Sequence, residues 1–246
     1  MNRDQATSFG SAAGTYEAGR PDYPLEAVQW LLPSIVGRAV RVADVGAGTG
    51  KLTRGLRDLG ADVVAIDPDP AMLEALRAAS GGIPTFVGSA ERLPLPDASV
   101  DAVVFGQAWH WVEPDAASAE VARVLRPGGV LGLVWNIRDE SVDWVRRLTE
   151  IMRGSNAEEM LAAGEPPVSA PFGALERASW RWTRPMTRDG LRAMAFSRSY
   201  IITASESERA RIDRDLAELF DEIGAVGDAV VSLPYVTWAF RTAVTG

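Results

Sequence analysis

VADVGAGTGKL, residues 42–52, is the stretch that decides the fold. An apolar run reaches Asp44 and Val45, and Gly46, Gly48 and Gly50 follow at alternate positions. Glycine lets the backbone turn sharply and approach a ligand without a Cβ collision. GKLTRGLRDLG (residues 50–60) then has helical spacing and a terminal glycine. The reading is a buried strand, a tight turn and a helix whose first N–H groups face a polar or anionic ligand. A dinucleotide turn would place its third glycine three residues past the second, where Lys51 stands. A Walker-type phosphate loop would need Ser or Thr after its lysine, where Leu52 stands. A glycine turn by itself also serves any tight strand–helix connection.

The next two strand ends add to it. VVAIDPDP (residues 63–70) ends a second strand at Asp67. A carboxylate there can take two ribose hydroxyls or cap the following helix; Asp69 is the better cap, which leaves Asp67 for a ligand. VGSAERLPLPD (residues 87–97) brings Ser89, Ala90 and Glu91 out of a third strand beside the same crevice. A small residue admits an aromatic base, and a short acceptor can read its edge. In register, the three strand ends make a nucleoside pocket at the carboxyl edge of a sheet.

Farther out, the alternation continues. Helices are expected at residues 24–36, with Pro24 near the start, at 70–80 and at 113–129, closed by Pro127 and its glycines. Residues 99–108 and 130–136 supply the fourth and fifth strands. Continuous apolar strands with short connections mark a parallel sheet covered on both faces. The fold class is α/β, an open doubly wound sheet. Residues 1–23 read as a polar, glycine-rich lead and 24–246 as one domain, with a core over 24–136 and a less regular region over 137–246. In that region, residues 141–154, 187–201 and 205–224 read as helices, the last opened by a Ser205–Glu208 capping box. Residues 162–173 read as a loop. Residues 175–186 alternate as a strand, and 229–244 as a late strand, or a pair interrupted at Pro234.

Composition narrows the chemistry. Of 246 residues, 47% are hydrophobic, enough for one substantial core. No cysteine and a single histidine rule out disulfides, cysteine nucleophiles and two-histidine metal clusters, so no metal site is expected. A net charge of −8 disfavours non-specific binding to nucleic acid. No apolar run is long enough to span a bilayer, and no secretory leader is evident, so a cytoplasmic location is expected.

Together, VADVGAGTGKL, VVAIDPDPAML, FVGSAERLPLPDASVDAVVFGQAWHW and VARVLRPGGVLGLVWN resemble, in order, the class I S-adenosylmethionine-dependent methyltransferases. The likeness is to the small-molecule, methyltransferase type 11-like branch. It implies a Rossmann-like, mostly parallel seven-stranded sheet with one reversed strand, assigned to part of residues 229–243. It implies that residues 1–23 are an N-terminal lid segment and that 137–246 is a substrate-covering region. It also implies roles by position. Gly46, Ala47, Gly48 and Gly50 line the methionine part of S-adenosyl-L-methionine, and Asp44 supports that loop or takes its amino group. Asp67 holds the ribose, with Pro68 and Met72 near the adenine, and Ala90 and Glu91 meet the base. Gln107 and Ala108 pass under the cofactor. Tyr16 and Arg20, from the lead segment, close the site, with Arg20 available to the cofactor carboxylate. The product is S-adenosyl-L-homocysteine.

A sulfonium carries an activated methyl group, so most of the rate comes from orientation and electrostatic fit. A base is needed only where the acceptor holds a proton. His110, between Trp109 and Trp111 in FGQAWHWVEPD (residues 105–115), is the candidate; packing against the cofactor or fixing the loop is the plainer role. Two of Arg181, Arg184, Arg188 and Arg198 can converge on a carboxylate, beside an apolar lid from Trp182, Met186, Phe196 and Tyr200. The acceptor is expected to be a small molecule bearing a carboxylate or hydroxyl. The alternatives are a non-catalytic cofactor-binding protein and methylation of protein or nucleic acid. GQAWHW lacks the Asn/Asp-Pro-Pro-aromatic strand end of the nucleic-acid enzymes.

Overall fold

The computed structural model describes residues 20–34, 37–198, 201 and 204–244. Seven strands form one sheet: β1 (Arg41–Val45), β2 (Asp62–Asp67), β3 (Thr85–Val87), β4 (Val100–Gly106), β5 (Leu125–Arg138), β6 (Glu176–Thr187) and β7 (Val230–Ala243). Their order is β3-β2-β1-β4-β5-β7-β6. The first five run parallel, and β7 is antiparallel to both β5 and β6. The reversed strand therefore falls where it was expected, one place in from the edge.

Alternation along each strand explains the two covered faces. β4 sends Val103 and Phe105 to one core, with Leu131, Leu133 and Trp135 of β5, and Ala102 and Val104 to the other. Helix α4 (Pro114–Val124) closes the first core with Ala117, Val121 and Val124. The second is closed by Val28 and Leu31, at the end of α1 (Leu25–Trp30), and by Leu52 and Leu56 of α2 (Lys51–Asp58). Helix α3 (Pro70–Ala79) follows β2 and is capped by Asp69, whose side chain accepts a 2.9 Å hydrogen bond from the Ala71 N–H. A third core joins α5 (Asp143–Met152), α7 (Arg188–Phe196) and α8 (Glu206–Glu222) through Leu148, Leu191, Leu216 and Phe220.

One expectation is corrected, one pair of alternatives is decided and one helix is added. The helix over 113–129 stops at Val124, and β5 already begins at Leu125. Pro127 removes an N–H and disfavours helical backbone at Arg126. The register jumps there, from Val100↔Leu125 to Ala102↔Val130. Secondly, Pro234 does not split β7. Pairing with β5 ends at Arg138↔Tyr235, so Pro234 has a strand on one side only, β6, and no second ladder bond is lost. Thirdly, α6 (Asn156–Ala163) precedes the loop and carries a reciprocal capping box between Ser155 and Glu158. At α8, Ser205 accepts from the Glu208 N–H, while the Glu208 carboxylate reaches Arg153 at 3.0 Å.

One feature of the sheet positions the site. β4 ends at Gly106, opposite Val134, but β5 continues through Trp135, Asn136, Ile137 and Arg138, paired only to β7. This overhang stands as a wall beyond the carboxyl ends of β1 and β4.

Candidate functional site

The glycine turn lines a cleft of about 470 Å³. Arg20, Asp44, Gly46, Ala47, Gly48 and Gln107 border it, together with Pro21, Tyr23, Thr49, Lys51, Leu52 and Gly106, which the sequence reading did not single out. Gly46 has φ 69° and lies so close to Ala108 that an added Cβ would sit 2.6 Å from the Ala108 Cβ. At Gly48 (φ 55°) an added Cβ would meet nothing within 4 Å, so the backbone there stands open to the cleft.

Asp44 lies beneath this loop, fully buried. Its Oδ2 accepts from the Thr53 hydroxyl at 2.5 Å, whereas Oδ1 has no hydrogen-bond partner among the described residues. Burial pushes the carboxyl up to about 7, the Thr53 bond opposing and the neighbouring Asp67 charge adding. A buried acceptor without a donor is costly.

Asp67 is not free, contrary to the expectation that its capping duty would pass wholly to Asp69. Its Oδ2 accepts from the Gly48 N–H and its Oδ1 from the Asp69 N–H, both at 2.8 Å. It thus ties β2 to the glycine turn. Each carboxylate oxygen has a second lone pair, so two hydroxyls can still be accepted. Burial raises its pKa against these two backbone bonds. Asp67 does not itself line the cleft, and neither do the remaining positions. Gly50 starts α2, with an added Cβ 2.7 Å from Leu76. Met72 is buried in α3, and Pro68 follows Asp67. Ala90 packs in the core, Ser89 borders a separate open groove, and Glu91 accepts a 3.0 Å bond from the Glu113 N–H. Tyr16 and Tyr200 lie outside the described residues.

The chain before α1 is tied across the sheet's edge. Lys51 pairs with Asp22 at 3.0 Å, and Asn136 Nδ2 donates to the Asp22 carbonyl at 3.1 Å. Asn136 Oδ1 accepts from the Thr237 hydroxyl at 2.6 Å, which accepts from Trp182 Nε1 at 2.8 Å. Gln107, in the left-handed region at φ 56°, donates from Nε2 to the Asn136 carbonyl at 2.9 Å. Strained backbone of this kind persists where surrounding bonds over-determine it.

A second cavity, about 430 Å³, meets the first at Arg20, Pro21 and Gln107. The β5 overhang supplies Asn136, Ile137 and Arg138; Ser155, Glu158, Met194, Arg198 and Tyr235 complete it. Arg138 donates to Glu158 at 2.7 Å and to the Thr149 hydroxyl at 3.1 Å. Glu158 also accepts from the Ser155 N–H at 2.6 Å and its hydroxyl at 2.9 Å. Burial works to raise Glu158, but the Arg138 and Arg198 charges and the Ser155 bonds outweigh it and hold the group below its usual value. Of the four arginines singled out, only Arg198 lines this cavity. Arg181 pairs with Asp139, and Arg188 with Asp221. Trp182 stacks on Tyr235 at 5.0 Å, and Met186 is buried in the helical core.

His110 sits in a single 3-10 turn, Trp109–Trp111, just past β4. Trp109 is core, 1% exposed, with its Nε1 donating to the Pro167 carbonyl. His110 Nδ1 accepts from Trp135 Nε1 at 3.3 Å. Burial, and then the Arg20 charge, push the imidazole down to about 4. A neutral ring that accepts at Nδ1 carries its proton on Nε2.

Among the described residues, no group of three or more His, Asp or Glu could hold a metal ion, and no helix is long and apolar enough to cross a membrane.

Comparison with known proteins agrees with this architecture. A methyltransferase-domain family model matches residues 43–133. An uncharacterized methyltransferase of Mycobacterium tuberculosis strain H37Rv is 48% identical over 242 residues, 97% of this chain and 96% of its own. A malonyl-(acyl-carrier protein) O-methyltransferase of Serratia marcescens is 34% identical over 127 residues, 51% of this chain and 50% of its own. A solved structure from Anaeromyxobacter dehalogenans, provisionally assigned as a type II methyltransferase, superposes with a TM-score of 0.64 at 25% identity. It covers 90% of this chain and 97% of its own. The chain belongs to the class I S-adenosylmethionine-dependent methyltransferases, in their type 11-like branch.

Proposed function

We propose that the protein transfers a methyl group from S-adenosyl-L-methionine to a small-molecule acceptor. The observation that carries the reading is Asp44. Its buried, unpartnered Oδ1 lies under a glycine backbone that opens to the cleft at Gly48. That combination fits an amino acid's ammonium group and tail. An arriving ammonium favours the ionised carboxylate and removes the cost of the orphaned oxygen.

The other roles follow from position. Gly46, Ala47 and Gly48 flank the tail, and Arg20 takes its carboxylate. Asp67 accepts the ribose hydroxyls with its second lone pairs. Pro68, Met72, Ser89, Ala90 and Glu91 serve the adenine end. Gln107 and Ala108 form the floor where the two cavities meet, which sets the second cavity on the acceptor side. When bound, the cofactor supplies a methyl group already activated on sulfur. The chain's own task is to orient the acceptor and exclude water. His110, neutral and held by the Trp135 indole, fixes its loop rather than acting as a base.

Titration with S-adenosylhomocysteine, followed by transfer of labelled methyl to pooled metabolites, tests the proposal. One-to-one saturable binding and label in the low-mass fraction are expected. Binding without transfer would mean a non-catalytic protein. Label confined to protein or nucleic acid would mean a macromolecular acceptor.

A further inference from the structure

The second cavity has a charge imbalance that the cofactor reading leaves unused. Arg20, Arg138 and Arg198 line it; with Arg20 given to the cofactor's carboxylate, two arginines face the one carboxylate of Glu158. Arg138 is 5% exposed in its side chain; Arg198 and Glu158 are each 11% exposed. Glu158 is already committed, to Arg138 and twice to Ser155. Its distance to Arg198 is 3.7 Å, an ion pair without a hydrogen bond. Among the described residues, the hydrogen bond Arg198 makes is from Nη1 to the Arg153 carbonyl, at 3.3 Å. A guanidinium offers five N–H donors in a planar fork, so most of this one is unspent. Burying a cation on such terms is costly unless an anion arrives. Burial and then the Arg138 charge lower Arg198 to about 9, consistent with that cost.

We infer that this cavity is the acceptor subsite and that Arg198, with Arg138 behind it, selects a small organic acid by gripping a carboxylate. The inference rests on the methyltransferase reading, and it adds the substrate class and a specificity-determining residue. Three features favour a carboxylate over a phosphate. With Arg20 neutralised by the cofactor's carboxylate, Arg138 and Arg198 exceed Glu158 by one charge, which a monoanion matches. Glu158 itself repels a dianion. Ile137, Met194 and Pro21 give the cavity apolar walls for a carbon body. A planar carboxylate also suits the bidentate fork.

The test uses the full chain saturated with S-adenosylhomocysteine. It is titrated calorimetrically with butyrate, hexanoate, benzoate and phenylacetate, each beside its primary amide, and with phenyl phosphate. At least one acid should bind about tenfold or more tighter than its amide, and Arg198→Met should weaken that acid by about tenfold while leaving S-adenosylhomocysteine affinity unchanged. Glu158→Gln, which removes the competing carboxylate, should tighten the acid, and this arm stands even if Arg198→Met fails to fold. The inference is overturned if no acid binds at millimolar concentration. It is equally overturned if amides or phenyl phosphate bind as well as the acids, or if a folded Arg198→Met variant binds the acid like the parent. Failure to bind S-adenosylhomocysteine at all would sink the cofactor reading and this inference together; its binding with acids ignored would sink this inference alone.

Discussion

Replacing Asp44 by Asn should stabilise the unliganded protein selectively at high pH while weakening the cofactor. The folded carboxyl titrates near 7 and the unfolded one near 3.8. Between those values the native state holds a proton that the unfolded state has lost, so stability falls as pH rises. The sign is that of an acid whose folded pKa is raised. Integrating the two titrations gives a loss of about 1.7 kcal/mol at pH 5 and about 4.3 kcal/mol at pH 8 relative to full protonation, hence about 3 kcal/mol across that window. Asn cannot ionise, so the variant should lack this slope. Its Nδ2 has no acceptor where Oδ1 sat, which lowers both ends by a similar ~1–3 kcal/mol and leaves the slope difference intact. Urea unfolding at pH 5 and pH 8 reads it out directly. Groups not coupled to Asp44 cancel between the two proteins; Asp67, whose charge raises Asp44, is the one that shifts with the substitution. Identical pH dependence in parent and variant would refute the reasoning. Binding supplies an independent check: near pH 6, S-adenosylhomocysteine should release a proton from the parent at Asp44, seen as a buffer-dependent heat, and the variant should not show it.

His110 slopes the other way. Its folded pKa is depressed to about 4 from 6.5, so the unfolded chain takes the proton first as pH falls, and stability is lost from about 6.5 downward. The full shift corresponds to about 3 kcal/mol, and His110→Phe should flatten that limb in acid unfolding curves. His110→Ala should leave the pH–rate profile unchanged, and a profile that loses an ionisation would restore the base role. Asp67→Ala should cost about 2 kcal/mol of stability through the lost Gly48 and Asp69 bonds and weaken S-adenosylhomocysteine more than about tenfold; unchanged affinity would end the ribose assignment. Thr237→Val strands Asn136 Oδ1 and Trp182 Nε1 together, and about 2–4 kcal/mol should disappear from urea unfolding. A loss below about 0.5 kcal/mol would mean the network is not a support.

What was legible depended on how local the cause is. β1, its glycine turn and α2 are specified within eighteen residues, because a buried parallel strand must be continuously apolar and the turn needs positive φ at Gly46, Gly48 and Gly50. Asp69 could be named as a cap because Pro70 follows it and the cap bond spans only two residues. The β5 overhang was not legible. WNIR looks like the frayed end of a strand, and only pairing with β7, a hundred residues later, makes it a wall. Arg138 was missed for the same reason: its buried partner, Glu158, stands on α6, twenty residues on. Two signals were there to be read. One was an arginine continuing an apolar strand. The other was Ser155 three residues before Glu158, the spacing of a capping box. Arg181 and Arg188 misled because sequence counts charges without showing that Asp139 and Asp221 already hold them.

The most direct test of the central claim is a crystal structure of the protein grown with S-adenosylhomocysteine. The account predicts its amino group on Asp44 Oδ1, its tail along Gly46–Gly48, its ribose on Asp67 and its sulfur facing the cavity of Arg138 and Arg198. A ligand bound elsewhere, or an empty glycine cleft at saturating concentration, would contradict it.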